Sequence, residues 1–361
     1  MFKKSILSLL GLILIIISLM GCAATPTTKG KETIQIRIGS GYPIEGASWT
    51  KVLKEFYIPE VNKALENTNY HINWVESYGG TVAKPGEELE AVQNKLLDMA
   101  FVVSPLEPAA LKVSNIGYNV PFSSADPKIL TQAAYSILEK YPEFSKEYEK
   151  YNQKLLGLGV TESYELITKF PVNKVDDLKD VKIAAVGSNL NWIKPIGVVP
   201  VQSNLTEAYQ SLQSGVYDGW VTFSGPVKGF KLHEQAKYYT KVGFGCAIVG
   251  GLTINQDKWN DLPEVVQTTL KQAAKSYSDA LVAEINKQLN ENLQVIQKEG
   301  AQIATLSDQE RAKWVKVVQN VPQDYASRLE EAGLPGKSMI KDFIQAQVDA
   351  GHKFPLPYTF K

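Results

Sequence analysis

An α/β fold of two domains sharing one long helix is predicted by three features of this sequence. Strand and helix patterns alternate between Asp177 and Phe223. At 361 residues, 44% hydrophobic and 21% charged, the chain has the length for two ordinary domains and the composition of a globular protein. A helical pattern then runs from Leu262 to about Lys298, and a helix of that length extends about 55 Å, more than one small domain is wide.

The stretch from Asp177 sets the pattern. Val181 to Val186 is an apolar run bounded by charge and by Gly187, which suits a buried strand, and Val198 to Val201 gives a second. Asn204 with Glu207 three residues on forms an N-capping pair. Leu205, Ala208 and Leu212 recur on one helical face until Gly215 ends the helix.

From the start of the domain, Thr33 to Ile38 alternates apolar with polar residues and predicts a strand closed by Gly39-Ser40-Gly41. A helix is expected over 47–67, kinked at Pro59. Strands follow at 71–75 and 98–103 with a helix at 87–95 between them, then helices at 127–140 and up to Tyr151. Further strands are expected at 155–160, 165–170, 238–243 and 247–255. In the long helix, Val266, Leu270, Ala273, Tyr277, Leu281, Ile285, Leu289 and Ile296 carry the apolar pattern until Gly300. Two more helices, at 307–332 and 336–350, complete the chain, with no internal repeat.

The first residues read as an address. Lys3 and Lys4 precede a largely apolar stretch of 15 residues from Ile6 to Met20, shorter than the roughly 20 a spanning helix needs, so residues 1–21 are expected to be a signal peptide. Leu19-Met20-Gly21-Cys22 resembles the bacterial lipobox, in which the cysteine is lipidated and becomes the mature N-terminus. Residues 22–32 are then a polar linker holding the protein off the membrane, and the expected location is extracytoplasmic, on the cell membrane. The other cysteine, Cys246, lies in an apolar run and is expected to be a small buried hydrophobe.

Basic and acidic residues balance at 38 each, which gives neither a nucleic-acid footprint nor a polybasic patch. Three histidines, His71, His233 and His352, are too far apart to suggest a metal site, and no nucleotide-binding or nucleophile-elbow motif occurs. No cofactor, metal or catalytic residue is expected. Glu87, Glu88 and Glu90 read as a solvated helix face, and His233-Glu234 as surface residues.

The central stretch resembles the extracytoplasmic solute receptors of tripartite ATP-independent periplasmic (TRAP) transporters, of the C4-dicarboxylate and sialic-acid type. That family shows Asp-Leu-Lys-Gly-Leu-Lys-Ile-Arg-Val, then Leu-Gly-Ala-x-Pro-Val, then a helix closing in Leu-Gln-x-Gly-x-Val-Asp-Gly. The counterparts here are Asp177 to Val186, Ile196 to Val201, and Leu212-Gln-Ser-Gly-Val-Tyr-Asp-Gly219. Glu88-Leu-Glu-Ala-Val-Gln93, Asn119-Val-Pro-Phe122 and Trp259-Asn-Asp-Leu-Pro263 fit as well, so the likeness covers 33–330.

The resemblance implies a two-lobed, periplasmic-binding-protein-like fold with crossing hinge strands and a spine helix. Residues 33–161 and 250–289 would form one lobe, 162–249 and 290–361 the other. The implied function is capture of a small-molecule ligand and its delivery to the small and large TRAP membrane subunits. A sensor or scavenger on the same fold is the alternative. The family's loops nominate Tyr42, Trp49 and Ser104 from the first lobe; from the second they nominate Tyr164, Ala184, Asn191, Trp192, Trp220, Thr222 and Phe223. Ala184 departs from the family, which has an arginine there to grip a carboxylate. The departure implies a neutral, cationic or aromatic ligand, or an acid held by Lys194, backbone amides or a bound cation.

Overall fold

A computed structural model describes residues 30–360. The expected signal peptide and Cys22 lie outside the described residues. Among those described, no helix is long and apolar enough to cross a membrane. The strands are β1 (Glu32–Ser40), β2 (Tyr70–Tyr78), β3 (Met99–Val103), β4 (Gln153–Val160), β5 (Tyr164–Thr168), β6 (Lys182–Ala185), β7 (Val199–Gln202), β8 (Gly219–Thr222), β9 (Tyr238–Gly245), β10 (Ile248–Asn255) and β11 (Gln302–Thr305).

They form two sheets, ordered β2-β1-β3-β10-β4 and β11-β9-β5-β8-β6-β7. In the first, β1 runs parallel to β3, while β10 is antiparallel to both β3 and β4. In the second, β7, β6 and β8 run parallel, as do β11 and β9, and β5 is antiparallel to its neighbours β8 and β9. β3, β5, β8 and β10 are buried along their whole length, because helices cover both faces of each sheet.

The chain passes between the sheets twice in this region, from β4 to β5 through 161–163 and from β9 to β10 through 246–247. The two crossings are bonded to each other. Thr161 N–H donates to the Ala247 carbonyl at 3.0 Å, and Ala247 N–H donates back to Thr161 Oγ1 at 3.0 Å. Cys246 is buried here, as its apolar setting predicts.

The long helix spans Glu264–Lys298, 35 residues, or about 50 Å. Its first half packs on the first sheet: Gly157 of β4 lies against the Ala274 carbonyl, where an added Cβ would come within 2.7 Å. Ser278 Oγ donates to the Leu158 carbonyl at 2.7 Å, and Tyr277 Oη to the Trp49 carbonyl at 2.9 Å. Its second half reaches the other lobe, where Asn292 Nδ2 lies 3.5 Å from Ser224 Oγ.

Local signals placed several elements well. The helix Leu205–Ser214 starts at Asn204, whose Oδ1 accepts from the Thr206 and Glu207 amides, and stops at Gly215 with φ of +78°. The helix expected over 47–67 runs instead over 48–64, with a wide π turn at Leu53–Tyr57. Pro59, lacking an N–H, leaves the ladder short just there. The expected helix at 307–332 is two, Asp308–Val317 and Val321–Glu331, parted where Pro322 opens the second. Strand β11 was not anticipated; it is held by pairing with β9 rather than by its own sequence.

Two expectations about polar residues are overturned. Glu88 is fully buried, accepting from the Gly41 amide at 3.0 Å and the Gly86 amide at 2.7 Å. His233 is buried too, between the Val227 carbonyl at 3.2 Å and Glu299 at 2.6 Å. In both cases tertiary partners, invisible in the local pattern, compensate burial of the polar group.

At the end of β9, Gly245 has φ of +92°, and a Cβ there would fall 2.1 Å from the Ser123 carbonyl. Gly245→Ala is expected to lower unfolding free energy by about 3 kcal/mol, measurable by urea denaturation.

Candidate functional site

The first sheet's β1 ends at Ser40, whose Oγ bonds Thr50 Oγ1 at 2.9 Å and accepts from the Tyr42 amide at 3.3 Å. This fixes the loop that carries Tyr42 and Trp49. Tyr42 meets Trp49 edge-on at 5.3 Å, and Trp49 stacks on Phe101 of β3 at 6.0 Å. Both are buried, and Trp49 Nε1 has no hydrogen-bond partner.

The second wall is aromatic as well. Tyr164, opening β5, meets Phe223 at 5.0 Å and Trp192 at 5.3 Å, both edge-on. Tyr118 stacks on Trp192 at 6.2 Å, and its hydroxyl lies 3.1 Å from that of Tyr164. Trp192 Nε1 donates to the Tyr118 carbonyl at 2.7 Å, while its own carbonyl accepts from Trp314 Nε1 at 2.7 Å. Beside them is Asn189, fully buried, in the turn 187–189 that packs against 104–106 and 117–119. Its carboxamide lies by the Tyr164 hydroxyl, yet neither Nδ2 nor Oδ1 has a partner of full hydrogen-bond geometry.

The walls face each other with the lobes in contact. Gly187, at φ of +51°, abuts Pro105, and Gly229 abuts the Glu45 carbonyl. Between the 44–51 loop, Phe223, the helix Ser224–Gly229 and the spine helix lies a cavity of about 220 Å³. Of its two lysines, Lys51 is held by Glu284 at 2.7 Å and Lys228 is exposed.

Burial pushes up the hydroxyls of Tyr42, Tyr118 and Tyr164, the last to about 12. The other groups that act on these phenols are Glu88, Cys246, Asn189 and one another.

Of the residues nominated from sequence, Tyr42, Trp49, Tyr164, Trp192 and Phe223 come together here. Ser104 is buried nearby with its hydroxyl engaged by the Ile248 carbonyl at 3.3 Å. Trp220 and Thr222 lie in β8 rather than in a loop, and Trp220 packs on Tyr217 at 5.5 Å. Ala184 is buried in β6, paired with Trp220. Asn191 and Lys194 line a groove with Pro195, Asp324 and Arg328, and Lys194 is exposed. Tyr118 and Asn189 were missed. Asn189 sits within the turn that the sequence points to, whereas nothing local marks Tyr118.

The hinge itself carries two buried acids. Glu162 accepts from Ser224 Oγ and from the Gly225 amide at 3.1 Å. Glu165 accepts from the Val242 amide at 2.5 Å, the Gly243 amide at 2.7 Å and Ser163 Oγ at 2.9 Å. Arg311 clasps the same turn from its carbonyl side, donating to Val242 O at 3.0 Å and Gly243 O at 3.1 Å. Burial pushes both acids up to about 7 despite these donors.

A match to the model of bacterial extracellular solute-binding protein family 7 spans residues 61–328, and the chain belongs to that family. Over 267 residues it is 26% identical to the C4-dicarboxylate-binding periplasmic protein DctP of Rhodobacter capsulatus, covering 68% of this chain and 74% of that one. Among solved structures, a TRAP solute-binding protein of Rhodoferax ferrireducens with copurified benzoate has a TM-score of 0.79 at 14% identity, covering 88% of this chain and 98% of that one. A Bordetella bronchiseptica TRAP protein with bound mandelate gives 0.75 at 19% identity, covering 88% and 99%. The fold is thus that of the two-lobed TRAP receptors, and the family is one of solute-binding receptors.

Glu162 and Glu165 also set a pH dependence. Unfolded, each titrates near 4.5; folded, near 7. Between these values the folded chain holds more protons, so the stability present below 4.5 declines as pH rises through 7. Glu88, at about 8, and Glu147, at about 7, act in the same sense. The melting temperature is expected to fall by about 5 °C or more from pH 5 to pH 8, and Glu162→Gln to flatten that slope in calorimetric scans.

Proposed function

We propose that this protein is a lipid-anchored receptor that captures one small organic solute between its lobes and delivers it to the small and large membrane subunits of a TRAP permease. The observation that carries the reading is the aromatic enclosure built from both sides of a two-strand hinge, with Trp49 Nε1 buried and unpartnered and the Asn189 carboxamide buried beside the Tyr164 hydroxyl. Groups of this kind cost about 1–3 kcal/mol each when left unpaired, and a bound solute satisfies them. The benzoate and mandelate of the structural neighbours are ring compounds of the size that such walls would hold. Tyr42, Trp49, Tyr164, Trp192 and Phe223 supply apolar surface to a ring.

The reading takes 33–161 with 250–289 as one lobe and 162–249 with 290–361 as the other. The crossings at 161–163 and 246–247 flex while the spine helix holds the lobes in register. Cys22 carries the lipid and residues 22–32 the tether, so the receptor works at the outer face of the cell membrane. No catalytic role is assigned to any residue.

Two measurements test this. X-ray scattering of the chain starting at residue 30, titrated with a panel of organic acids and uncharged ring compounds, is expected to show a smaller radius of gyration with any member that binds. An unchanged radius at saturation would refute hinge closure. Cys22→Ser is expected to move the protein from membranes to the soluble fraction, because two acyl chains give stable attachment and the unlipidated chain has none.

A further inference from the structure

We infer that the solute is a small zwitterion of the amino-acid class, its carboxylate drawn to Lys228 and its ammonium to Glu45 across the mouth of the cavity between the lobes. The inference deepens the receptor reading above and rests on it.

The cavity of about 220 Å³ is lined by Glu45 from the loop after β1 and by Lys228 from the helix Ser224–Gly229. Their backbones bring them close: Gly229, next to Lys228, abuts the Glu45 carbonyl, where an added Cβ would fall 2.8 Å away. Both side chains are exposed, and among the described residues neither has a hydrogen-bond or ion-pair partner, not even the other. Opposite charges set at one mouth and left unpaired suit a solute that carries both signs. A plain carboxylate would meet Glu45 with no counter-charge of its own, and a plain amine would meet Lys228 in the same way. A zwitterion meets opposite charge at each end.

The rest of the lining agrees. Lys51 is held by Glu284 at 2.7 Å, so it brings donors to the cavity without net charge. Ser48 Oγ donates to Gln288 Oε1 at 3.3 Å, and Gln288 Nε2 donates to Glu284 at 2.5 Å. Buried Asn292 places Nδ2 3.5 Å from Ser224 Oγ. Each carboxamide carries a second N–H and Lys51 three in all, so the lining is richer in donors than in acceptors, which favours a carboxylate among them. The volume is below the roughly 300–1,000 Å³ of pockets for drug-sized ligands, which limits the solute to about one amino acid. Ile44, Pro226 and Phe223 line the same cavity, and Phe223 also meets Tyr164 in the aromatic wall. The solute's side chain is therefore apolar or aromatic and lies toward Phe223.

Titration calorimetry on the chain from residue 30 tests this with three matched arms: valine and phenylalanine; isovalerate and phenylpropionate, which lack the ammonium; isobutylamine and phenethylamine, which lack the carboxylate. Native mass spectrometry of the freshly purified protein identifies any solute that copurifies. The expected result is binding at least tenfold tighter in the first arm than in the other two, or a copurified solute with both charges. Lys228→Gln and Glu45→Gln should each weaken that binding roughly tenfold or more, the worth of one charged hydrogen bond, and should melt as the parent does, since both residues are exposed. Glu45→Lys combined with Lys228→Glu should recover part of the binding that Lys228→Glu alone removes. A matched acid or amine that binds as tightly as its amino acid would overturn the inference. So would amino-acid binding that both glutamine variants leave within threefold. In either case the receptor reading stands. A protein that binds no member of any arm and carries no copurified solute would overturn both.

Discussion

Everything at this site depends on a constraint of connectivity: the chain leaves one sheet for the other after β4 and returns after β9, and the two crossings hydrogen-bond each other through Thr161 and Ala247. Because the link is mutual, the crossings are held as a pair. Neighbouring backbone groups are held by side chains from elsewhere, with Glu165 on the amides and Arg311 on the carbonyls of Val242 and Gly243. The closure proposed above would thereby be confined to a few residues between held ends, which is how a hinge differs from a loose linker.

The rings around the cleft are positioned by backbone bonds more than by each other. Trp192 hangs from the Tyr118 carbonyl, Trp314 from Trp192, and Trp49 is steadied through its carbonyl by Tyr277 of the spine helix. The bond from Trp192 to Tyr118 ties a ring of the 162–249 segment to the 33–161 segment, so the walls are joined as well as facing. Rings held in this way have few rotamers left to freeze, which would lower the entropy lost if a solute binds there as proposed.

Much of this was legible in the sequence where the signal was local. Asn204 and Gly215 marked a helix to the residue, and the order of motifs announced the two-lobed fold. What escaped was set by distant partners. Glu88 looked solvated because nothing near it in sequence reveals the Gly41 amide that it accepts from. Trp220 looked like a loop residue because Asp218-Gly219 reads as a turn, yet Gly219 pairs with Ile183 and Thr168 to begin a strand. The turn 187–192 was recognised and Asn191 nominated from it, while the burial of Asn189 was not foreseen. Choosing between two asparagines two residues apart requires knowing which one the helix Leu190–Ile193 turns inward.

The solitary indole N–H of Trp49 has an optical consequence. An indole in an apolar wall, with no acceptor to stabilise its excited-state dipole, emits at the blue end of the tryptophan range. A hydrogen-bond acceptor arriving at Nε1 would shift that emission toward the red. Trp192 and Trp314, already bonded to backbone carbonyls, provide a steadier background. Under the receptor reading, that indole would report occupancy free of any attached dye.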